Sequence, residues 1–299
     1  MQLSLDLVGT LAAIVDEGSL DAAARRLQLT PSAVSQRLAT LERQVGRVLL
    51  VRVKPVRPTE AGRALVRLAR QVALVEHDAL AELGAHDRSG PTRVPLAVNA
   101  DSLATWFLEP LARLSRTRSV VFELHRDDQD FTAGLLEAGT VMGAVTSRER
   151  PVAGCRVLPL GLLRYHAVAT PDYRERWLPN GPTAAALAVA PVVDFDRRDD
   201  LQSNWLSRLD VDPSDPPRHF VPASNDFARA IRLGLGWGLL PRFQSAAALV
   251  AGELVGLGGP VIDVALFWQQ WKVPSDLLDE IAAAIVAEGR RVLEPRASG

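Results

Sequence analysis

The amino-acid sequence predicts a multidomain α/β protein made of a basic helical head, one long helix and a two-lobed α/β body. Two observations support this prediction. The 299 residues include 34 basic and 35 acidic side chains, but residues 20–70 hold 11 of the basic and 3 of the acidic ones, a local net charge of +8. After residue 91, short strand-like runs alternate with helical runs, which indicates βαβ units and a mainly parallel sheet.

The first sixty residues predict a winged helix-turn-helix domain. Gly18 is suited to end a first amphipathic helix in the left-handed conformation. Ser19 and Thr30 are suited to cap a second and a third helix, because their side-chain oxygens accept from free backbone N–H groups. Residues 48–58 then predict a short strand and a tight basic turn, which together form the wing.

The third helix, which starts at Pro31, is predicted to have one buried and one outward face. Val34, Leu38 and Leu41 recur at helical spacing and form the buried stripe. The opposite face is small and polar near the helix N-terminus, which suits a helix that lies in the major groove of DNA. The residues expected to contact DNA are Ser32, Ser35, Gln36, Arg37 and Ala39 on this helix and Arg52, Lys54 and Arg57 on the wing. A solvated polar surface helix is the alternative interpretation.

The residue types on the outward face indicate how DNA is read. Gln36 can offer its amide to adenine, and Ala39 can contact a thymine methyl group. Ser32, Ser35 and Arg37 can bind phosphates, which fix the position of the helix on the duplex. Together with the positive charge of the head, these features predict double-stranded DNA as a partner.

Eight short segments resemble one family; the first four match it in spacing as well as in residues, and the last four resemble one branch of it. They are LDAAARRL (20–27), LTPSAVSQRL (29–38), LERQVG (41–46), RPTEAG (57–62), NADSLATW (99–106), GAVT (143–146), GLGWGLLP (234–241) and WQQW (268–271). With these segments the chain resembles the LysR-type transcriptional regulators over essentially its whole length, and within them the ArgP/LysG branch, whose members sense basic amino acids and control their export. The resemblance implies a winged helix-turn-helix, a linker helix and an effector domain similar to periplasmic binding proteins.

The segment after the wing predicts a long helix, which Thr59 can cap and which can run to about residue 83. Its apolar side chains repeat at alternating spacings of three and four residues. This is the pattern of either a dimer seam or a stripe that packs on the chain's own domains. The resemblance favours the dimer seam, which places two reading helices on two half-sites. The seam residues are Leu65, Leu68, Val72, Val75 and Ala79.

The body is predicted to form two lobes of alternating strands and helices. Helix-like runs include residues 103–114, and strand-like runs include 157–163 and, as a separate strand of the second lobe, 166–170. The predicted domain boundaries are 1–58 for the DNA-binding domain, 59–90 for the linker and dimerisation helix and 91–299 for the effector-binding domain, with lobe one at 91–163 and 267–299 and lobe two at 164–266.

Polar loops follow several predicted strands of the body, where ligands of α/β sheets bind. In the loop at 99–102, which precedes a predicted helix, free backbone N–H groups and the Ser102 hydroxyl can receive a ligand carboxylate. Asp101 has helix capping as its alternative role. Asp128 and Asp194 lie in acidic loops that suit an ammonium ligand, and Asp128 is the strongest candidate because resemblance and charge coincide there. Thr146 belongs to a segment of the resemblance. The expected effector contacts are Asp101, Ser102, Asp128, Thr146 and Asp194.

Several classes of protein are excluded by what the sequence lacks. Cys155 is the single cysteine, which rules out an internal disulfide and a zinc site built on cysteine pairs. Motifs of metalloproteases, α/β-hydrolases and P-loop enzymes are absent, and the GLGWG segment at 234–238 is better explained as a turn into a strand than as a dinucleotide fingerprint. No apolar run is long enough to span a membrane, and no secretory signal is evident. We therefore expect a cytosolic, non-enzymatic protein without metal or cofactor.

The sequence thus predicts a homo-oligomeric transcriptional regulator, either dimeric or tetrameric. Its expected partners are operator DNA, a small-molecule effector such as L-lysine or L-arginine and, as a further candidate, RNA polymerase. Three alternatives stay open. They are a LysR-type regulator with an aromatic or organic acid as effector, a solute-binding protein, which would share the body, and a nonspecific architectural DNA-binding protein, which would share the head.

Overall fold

The computed structural model describes residues 3–51, 53–84, 91–126 and 132–296. The chain divides into two compact units. Unit 1 consists of Met1–Val98, Pro110–Leu158 and Trp268–Val286, and unit 2 consists of Asn99–Glu109, Pro159–Phe267 and Ala287–Gly299. The chain therefore passes from one unit to the other several times along its length.

The head lies in unit 1 and is a winged helix-turn-helix, as the sequence predicts. Its elements are α1 (Leu5–Glu17), α2 (Leu20–Arg26), α3 (Pro31–Val45) and the wing strands β1 (Leu50–Val51) and β2 (Arg57–Pro58), which pair antiparallel. The Ser19 hydroxyl accepts from the Ala22 N–H at 3.2 Å, and Thr30 Oγ1 accepts from the Ala33 N–H at 3.1 Å. Gly18 ends α1 with a φ of +69°. All three predicted caps are confirmed.

A long helix, α4 (Glu60–Glu82), follows the wing, and Thr59 caps it by accepting from the Gly62 N–H at 3.1 Å, as predicted. A Cβ atom at Gly62 would lie 2.0 Å from the carbonyl oxygen of Leu49, so the start of α4 requires glycine where it approaches the wing. The core of the head is formed by the fully buried side chains of Val8, Leu11, Ile14, Val34, Leu41 and Leu49.

The α/β body alternates strands and helices. They are β3 (Thr92–Val98), α5 (Ala100–Thr105), α6 (Leu108–Leu114), β4 (Val120–Arg126), α7 (Thr132–Glu137), β5 (Gly143–Thr146), β6 (Cys155–Ala169), α8 (Pro171–Trp177), α9 (Ala184–Leu187), β7 (Val192–Asp194), α10 (Leu201–Ser207), β8 (Arg218–Phe220), α11 (Ser224–Arg232), β9 (Gly238–Pro241), α12 (Arg242–Val250), β10 (Val255–Gly256), β11 (Ile262–Trp271) and α13 (Asp276–Val292).

Strand pairing differs between the two units. In unit 1, β3 pairs in parallel with β4 and with β5, as the βαβ pattern predicts. In unit 2, β7 pairs in parallel with β8, whereas β6 pairs antiparallel with β9 and with β10. The prediction of a mainly parallel sheet therefore holds for β3, β4 and β5 of unit 1 and is wrong for the strands that pair with β6.

The helix predicted over residues 103–114 is instead two helices, α5 and α6, with a break at Trp106 and Phe107. Pro110 explains the break. In a continuous helix its ring would collide with the carbonyl of Trp106, and its missing N–H would leave that carbonyl without its helical partner. Pro110 instead lies in the first turn of α6, where no N–H partner is needed.

The two strands predicted at 157–163 and 166–170 are one strand, β6. Side chains in a strand alternate between the two faces, so a single charged residue does not end the strand. Arg164 lies between the buried Leu163 and Tyr165, on the opposite face, where it donates to both carboxylate oxygens of Asp263 at 2.8 Å. Arg164 therefore lies on the outer face of β6 and does not mark a turn between two strands.

Candidate DNA-contacting surface and effector site

The outward face of α3 carries the predicted DNA-reading residues. Ser32, Ser35, Gln36 and Ala39 are exposed, while Val34, Leu38 and Leu41 are buried on the opposite side. This division follows from the helical period, because the apolar stripe must pack on α1 and α2. Arg37 is half-buried, and its Nη1 donates to Thr10 Oγ1 of α1 at 3.4 Å.

The wing presents exposed cations beside this helix in the head. Lys54 and Arg57 are exposed, and Arg57 lies on β2 opposite Val51. Neither has an acidic partner among the described residues. Arg52, also predicted to contact DNA, lies outside the described residues. Unpaired surface cations on an exposed wing can approach a phosphate backbone without first breaking an ion pair.

The apolar stripe of α4 is divided into two parts. Leu65 and Leu68 are half-buried and pack against the core of the head, as the own-domain alternative would place them. Val72 is half-buried, and Val75 and Ala79 are exposed; these three line an open groove of about 820 Å³ in unit 1 that also includes residues of α1 and Pro274. The part of the stripe that is available to a second chain is therefore Val72, Val75 and Ala79.

Polar side chains of α4 hold this helix against the lobe in unit 1. Arg70 donates from Nη1 to the carbonyl oxygens of Gly139 at 2.6 Å and Thr140 at 2.5 Å, and from Nη2 to Asp16 of α1 at 2.6 Å. Asp78 accepts from the free backbone N–H groups of Asp276 and Leu277 at the start of α13, at 2.9 and 3.2 Å. Sequence reasoning missed these contacts, because each partner lies far away along the chain.

Asp101 is the centre of a hydrogen-bonded network within unit 2. It lies in the first turn of α5, and its two carboxylate oxygens accept from Tyr165 Oη at 2.6 Å and from Ser224 Oγ at 2.7 Å. Gln244 Nε2 donates in turn to Ser224 Oγ at 2.8 Å. The network joins α5 to β6, α11 and α12. Asp101 therefore ties four elements together through side chains, which is a different role from the helix capping considered for it.

Asp194 is already paired within unit 2. It ends β7, its side chain is 2% exposed, and Arg218 on the adjacent strand β8 donates to Oδ2. Burial raises the pKa of Asp194, and the Arg218 guanidinium opposes that rise. Arg218 also donates to the carbonyl oxygen of Pro213. Because of this partner, Asp194 offers a ligand less negative charge than its position in the sequence suggests.

Asp199 was not predicted from the sequence, yet it is the most perturbed carboxyl group of the site. It accepts from the backbone N–H groups of Leu201 at 3.0 Å and Phe195 at 3.4 Å. Its pKa is raised to about 7, mainly by burial; the two N–H groups oppose this rise, and the charges of Asp194 and Asp101 add to it. The acidic run at 194–200 was a signal for this group, but no local pattern distinguishes Asp199 from its neighbours.

Other predicted effector residues have the following positions. Ser102 is fully buried, and its Oγ has no hydrogen-bond partner among the described residues; the same holds for Oδ1 of Asn99. Thr146 ends β5 in unit 1, where it is fully buried and its Oγ1 accepts from the Arg148 N–H at 3.1 Å. Asp128 lies outside the described residues. The structure therefore brings Asp101, Ser102 and Asp194 into one unit, together with Asp199.

A reactive thiol, a metal site and a membrane-spanning helix have little support in the described parts of the chain. Cys155 is buried, and burial raises the pKa of its thiol to about 11, which disfavours the reactive thiolate at neutral pH. Within residues 3–51, 53–84, 91–126 and 132–296, no group of His, Cys, Asp and Glu side chains could hold a metal ion. Among the same residues, no helix combines the length and the apolar character that a bilayer crossing needs.

The fold and the site together define a helix-turn-helix regulatory protein with a ligand-binding α/β portion. Residues 5–63 match the family described as bacterial regulatory helix-turn-helix protein, lysR family, and residues 89–289 match the LysR substrate binding domain. The chain therefore belongs to the LysR family, and the sequence-based identification and fold class are confirmed.

Two relatives and one solved structure refine this assignment within the family. The chain is 46% identical over 286 residues to HTH-type transcriptional regulator LysG of Mycobacterium tuberculosis, covering 96% of this chain and 93% of that protein. It is 40% identical to the lysine export transcriptional regulatory protein LysG of Corynebacterium glutamicum, covering 96% and 98% of the two chains. A solved structure of full-length LysG from Corynebacterium glutamicum with bound effector Arg is 38% identical, covers 98% of this chain and 100% of that one, and has a TM-score of 0.76.

Proposed function

We propose that this protein is a cytoplasmic, homo-oligomeric transcriptional regulator whose binding to operator DNA responds to a cationic amino acid, L-lysine or L-arginine. The observation that carries the choice of effector is the charge of the site in unit 2. The charges of Asp101 and Asp194 both act on Asp199, and Arg218 is the one cation paired with any of these three groups among the described residues. A ligand with two cationic groups balances this excess of negative charge.

The similar proteins support the same choice. One relative is named for the regulation of lysine export, and one solved relative holds arginine as its effector. We therefore propose that this chain controls genes for the export of a basic amino acid or related genes. Regulation requires no covalent chemistry, so we propose no enzymatic activity.

The DNA-binding part of the proposal rests on the exposed face of α3 and on the wing. We propose base contacts for Gln36 and Ala39, and phosphate contacts for Ser32, Ser35, Arg37, Arg52, Lys54 and Arg57. The domain boundaries that we propose are those predicted from the sequence, 1–58, 59–90 and 91–299. For the dimer seam, the exposed position of Val75 and Ala79 supports a second chain at that end of the stripe.

The effector is tested by thermal unfolding and footprinting of the full chain. L-lysine or L-arginine at about 100 times its Kd stabilises the folded protein by about 2.7 kcal/mol, because it binds the folded state alone. Norleucine, which has the length of lysine without the side-chain charge, should raise the melting temperature much less. The same cationic amino acids should change the boundary of a footprint that is confined to one promoter.

Four results would contradict the proposal. Equal stabilisation by lysine and norleucine, or stabilisation by an aromatic or organic acid alone, would favour the alternative LysR-type effectors. A footprint that is spread evenly over all DNA would instead favour an architectural DNA-binding protein, and no DNA binding at all would favour a solute-binding protein.

A further inference from the structure

Arg70 joins the DNA-binding head to the α/β lobe of unit 1 through one side chain. From α4, its Nη1 donates to the carbonyl oxygens of Gly139 and Thr140 at 2.6 and 2.5 Å, and its Nη2 donates to Asp16 Oδ1 of α1 at 2.6 Å. The side chains of Arg70 and Asp16 are 11% and 10% exposed. Solvent therefore screens this bridge much less than it screens a surface ion pair.

On the side of the head, Asp16 connects the bridge to a second helix. Arg26 of α2 donates from Nη1 to Asp16 Oδ2 at 3.3 Å, so each oxygen of this carboxylate binds one guanidinium. Helices α1 and α2 share the buried core of the head with α3, the helix predicted to read DNA. A displacement of Asp16 is therefore transmitted to the packed head as a whole, including α3.

On the side of the lobe, the two carbonyl oxygens lie just beyond α7, where no further helical turn supplies them with donors. Gly139 is required for the close approach of α4 at this point. Its φ is +68°, and a Cβ atom there would lie 2.8 Å from Cβ of Arg67 on α4. The end of α7 is therefore fitted to α4 by shape as well as by hydrogen bonds.

Helix α7 connects this contact to a strand end where an effector residue is expected. Thr132, at the start of α7, donates from Oγ1 to the carbonyl oxygen of Val145 at 2.7 Å, and both residues are fully buried. Val145 immediately precedes Thr146, which ends β5 and is predicted to contact the effector. The six residues of α7 correspond to a length of about 9 Å. One short helix therefore leads from the neighbour of Thr146 to the carbonyl oxygens that bind Arg70.

We propose that Arg70 is a positioning residue that couples the effector site to the DNA-binding head. In the closed state Arg70 binds both Asp16 and the two carbonyl oxygens after α7. The effector displaces α7, and in the resulting released state water binds these carbonyl oxygens while Arg70 keeps Asp16. This inference rests on the proposed function, since it concerns how binding of the same effector reaches the DNA-reading helix.

The exchange between these two states needs little free energy. Water replaces the guanidinium at a carbonyl oxygen, so a hydrogen bond is exchanged for another and not lost. An effector that binds the released state more tightly than the closed state shifts their populations. Such coupling is reciprocal, so operator DNA should change the affinity for L-arginine by the same factor by which L-arginine changes the affinity for the operator.

Operator titrations of the full chain, with and without saturating L-arginine, test the coupling. We expect arginine to change the operator affinity of the wild type by about 5-fold or more, and Arg70→Ala to reduce this factor to about 1. Arginine should still bind to Arg70→Ala, as calorimetric titration without DNA would show. Asp16→Asn and the double variant should lose the coupling to the same extent, because both groups act through one bridge. Arg118→Ala is the matched control and should keep the factor, since Arg118 pairs with Glu280 on the surface of the same unit.

Distances between the head and the lobe test the closed state itself. Spin labels are attached at the exposed positions of Gln44→Cys in the head and Arg116→Cys in the lobe, and labelled chains are diluted into unlabelled ones. Double electron–electron resonance should show a narrow distance distribution for the wild type and for Arg118→Ala. It should show a broad one for Arg70→Ala, and for the wild type after addition of L-arginine.

The outcomes separate this inference from the proposed function. If the wild type does not bind arginine or lysine, or if arginine leaves its operator binding unchanged, the proposed function fails and the coupling fails with it. If Arg70→Ala retains the full factor, or keeps the narrow distance distribution, the role of Arg70 is wrong and the function stands. If Arg70→Ala does not fold, Arg70→Lys decides: its ammonium keeps the charge beside Asp16 but lacks the fork that reaches both carbonyl oxygens, so an unchanged factor overturns the inference.

Discussion

The head and unit 2 both depend on side-chain hydrogen bonds, but the partners are separated by very different distances along the chain. In the head, Ser19, Thr30 and Thr59 each bind a backbone N–H three residues further on. In unit 2, Asp101 binds Tyr165 and Ser224, which lie 64 and 123 residues away. A cap forms wherever its own helix forms, whereas the Asp101 network exists only after the chain has folded. Mutations should therefore act locally in the head and across several elements in unit 2.

The largest effect is expected from the buried ion pair of unit 2. Arg218→Ala leaves Asp194 buried without its cation, and breaking a buried pair in this way costs about 3–5 kcal/mol. Urea unfolding of the full chain, followed by a signal from the body, should show a lower midpoint. Arg198→Ala is the matched control, because Arg198 binds Asp196 on the surface and such pairs contribute about 0–1 kcal/mol. If both variants lower the urea midpoint equally, then burial and separation along the chain do not determine how much each ion pair contributes to stability.

A smaller effect, confined to DNA binding, is expected from the exposed face of α3. Gln36→Ala should weaken binding to the specific operator by about 1–3 kcal/mol and binding to random DNA little, because base contacts alone distinguish the two. Lys54→Ala on the wing should weaken both and reduce the salt slope by about one unit. Titrations of both DNAs at several salt concentrations measure these quantities. If Gln36→Ala weakens binding to the operator and to random DNA equally, Gln36 does not contact bases.

The smallest effect is expected from a single cap of the head. Thr30→Ala removes the acceptor for the Ala33 N–H and should cost about 1 kcal/mol of head stability. Thr30→Ser retains the hydroxyl and should behave like the wild type. Hydrogen exchange of the α3 amides is the appropriate measurement, because it reports on α3 separately from unit 2. Faster exchange in unit 2 as well would contradict the local character of the cap.

Helix α4 combines both kinds of contact. Its start depends on the local cap at Thr59, but its later turns depend on Arg70 and Asp78, whose partners in the lobe lie 69 to 199 residues away. The apolar repeat predicted the helix correctly. It did not predict that Leu65 and Leu68 would pack on the head, because a heptad pattern has the same form for a partner chain and for the chain's own core.

The candidate site was predictable in part. Strand-end position and residue type selected Asp101, Ser102 and Asp194, and all three lie in unit 2. The partners of Asp101 and Asp194 were not predictable, because Tyr165, Ser224 and Arg218 have ordinary sequence surroundings. Asp199 was missed for the same reason: its raised pKa arises from burial and from two other carboxyl groups, which are properties of the assembled unit.

The sequence by itself determined the features that depend on neighbouring residues. Caps, the faces of α3, the glycine at the end of α1 and the alternation of the body are encoded within a few residues, since helical period and backbone conformation are local properties. The tertiary structure alone decided which carboxylate is neutralised, which polar atoms are left without partners and which strands run antiparallel. These depend on burial and on charges brought together from distant parts of the chain, and no short stretch of sequence contains that information.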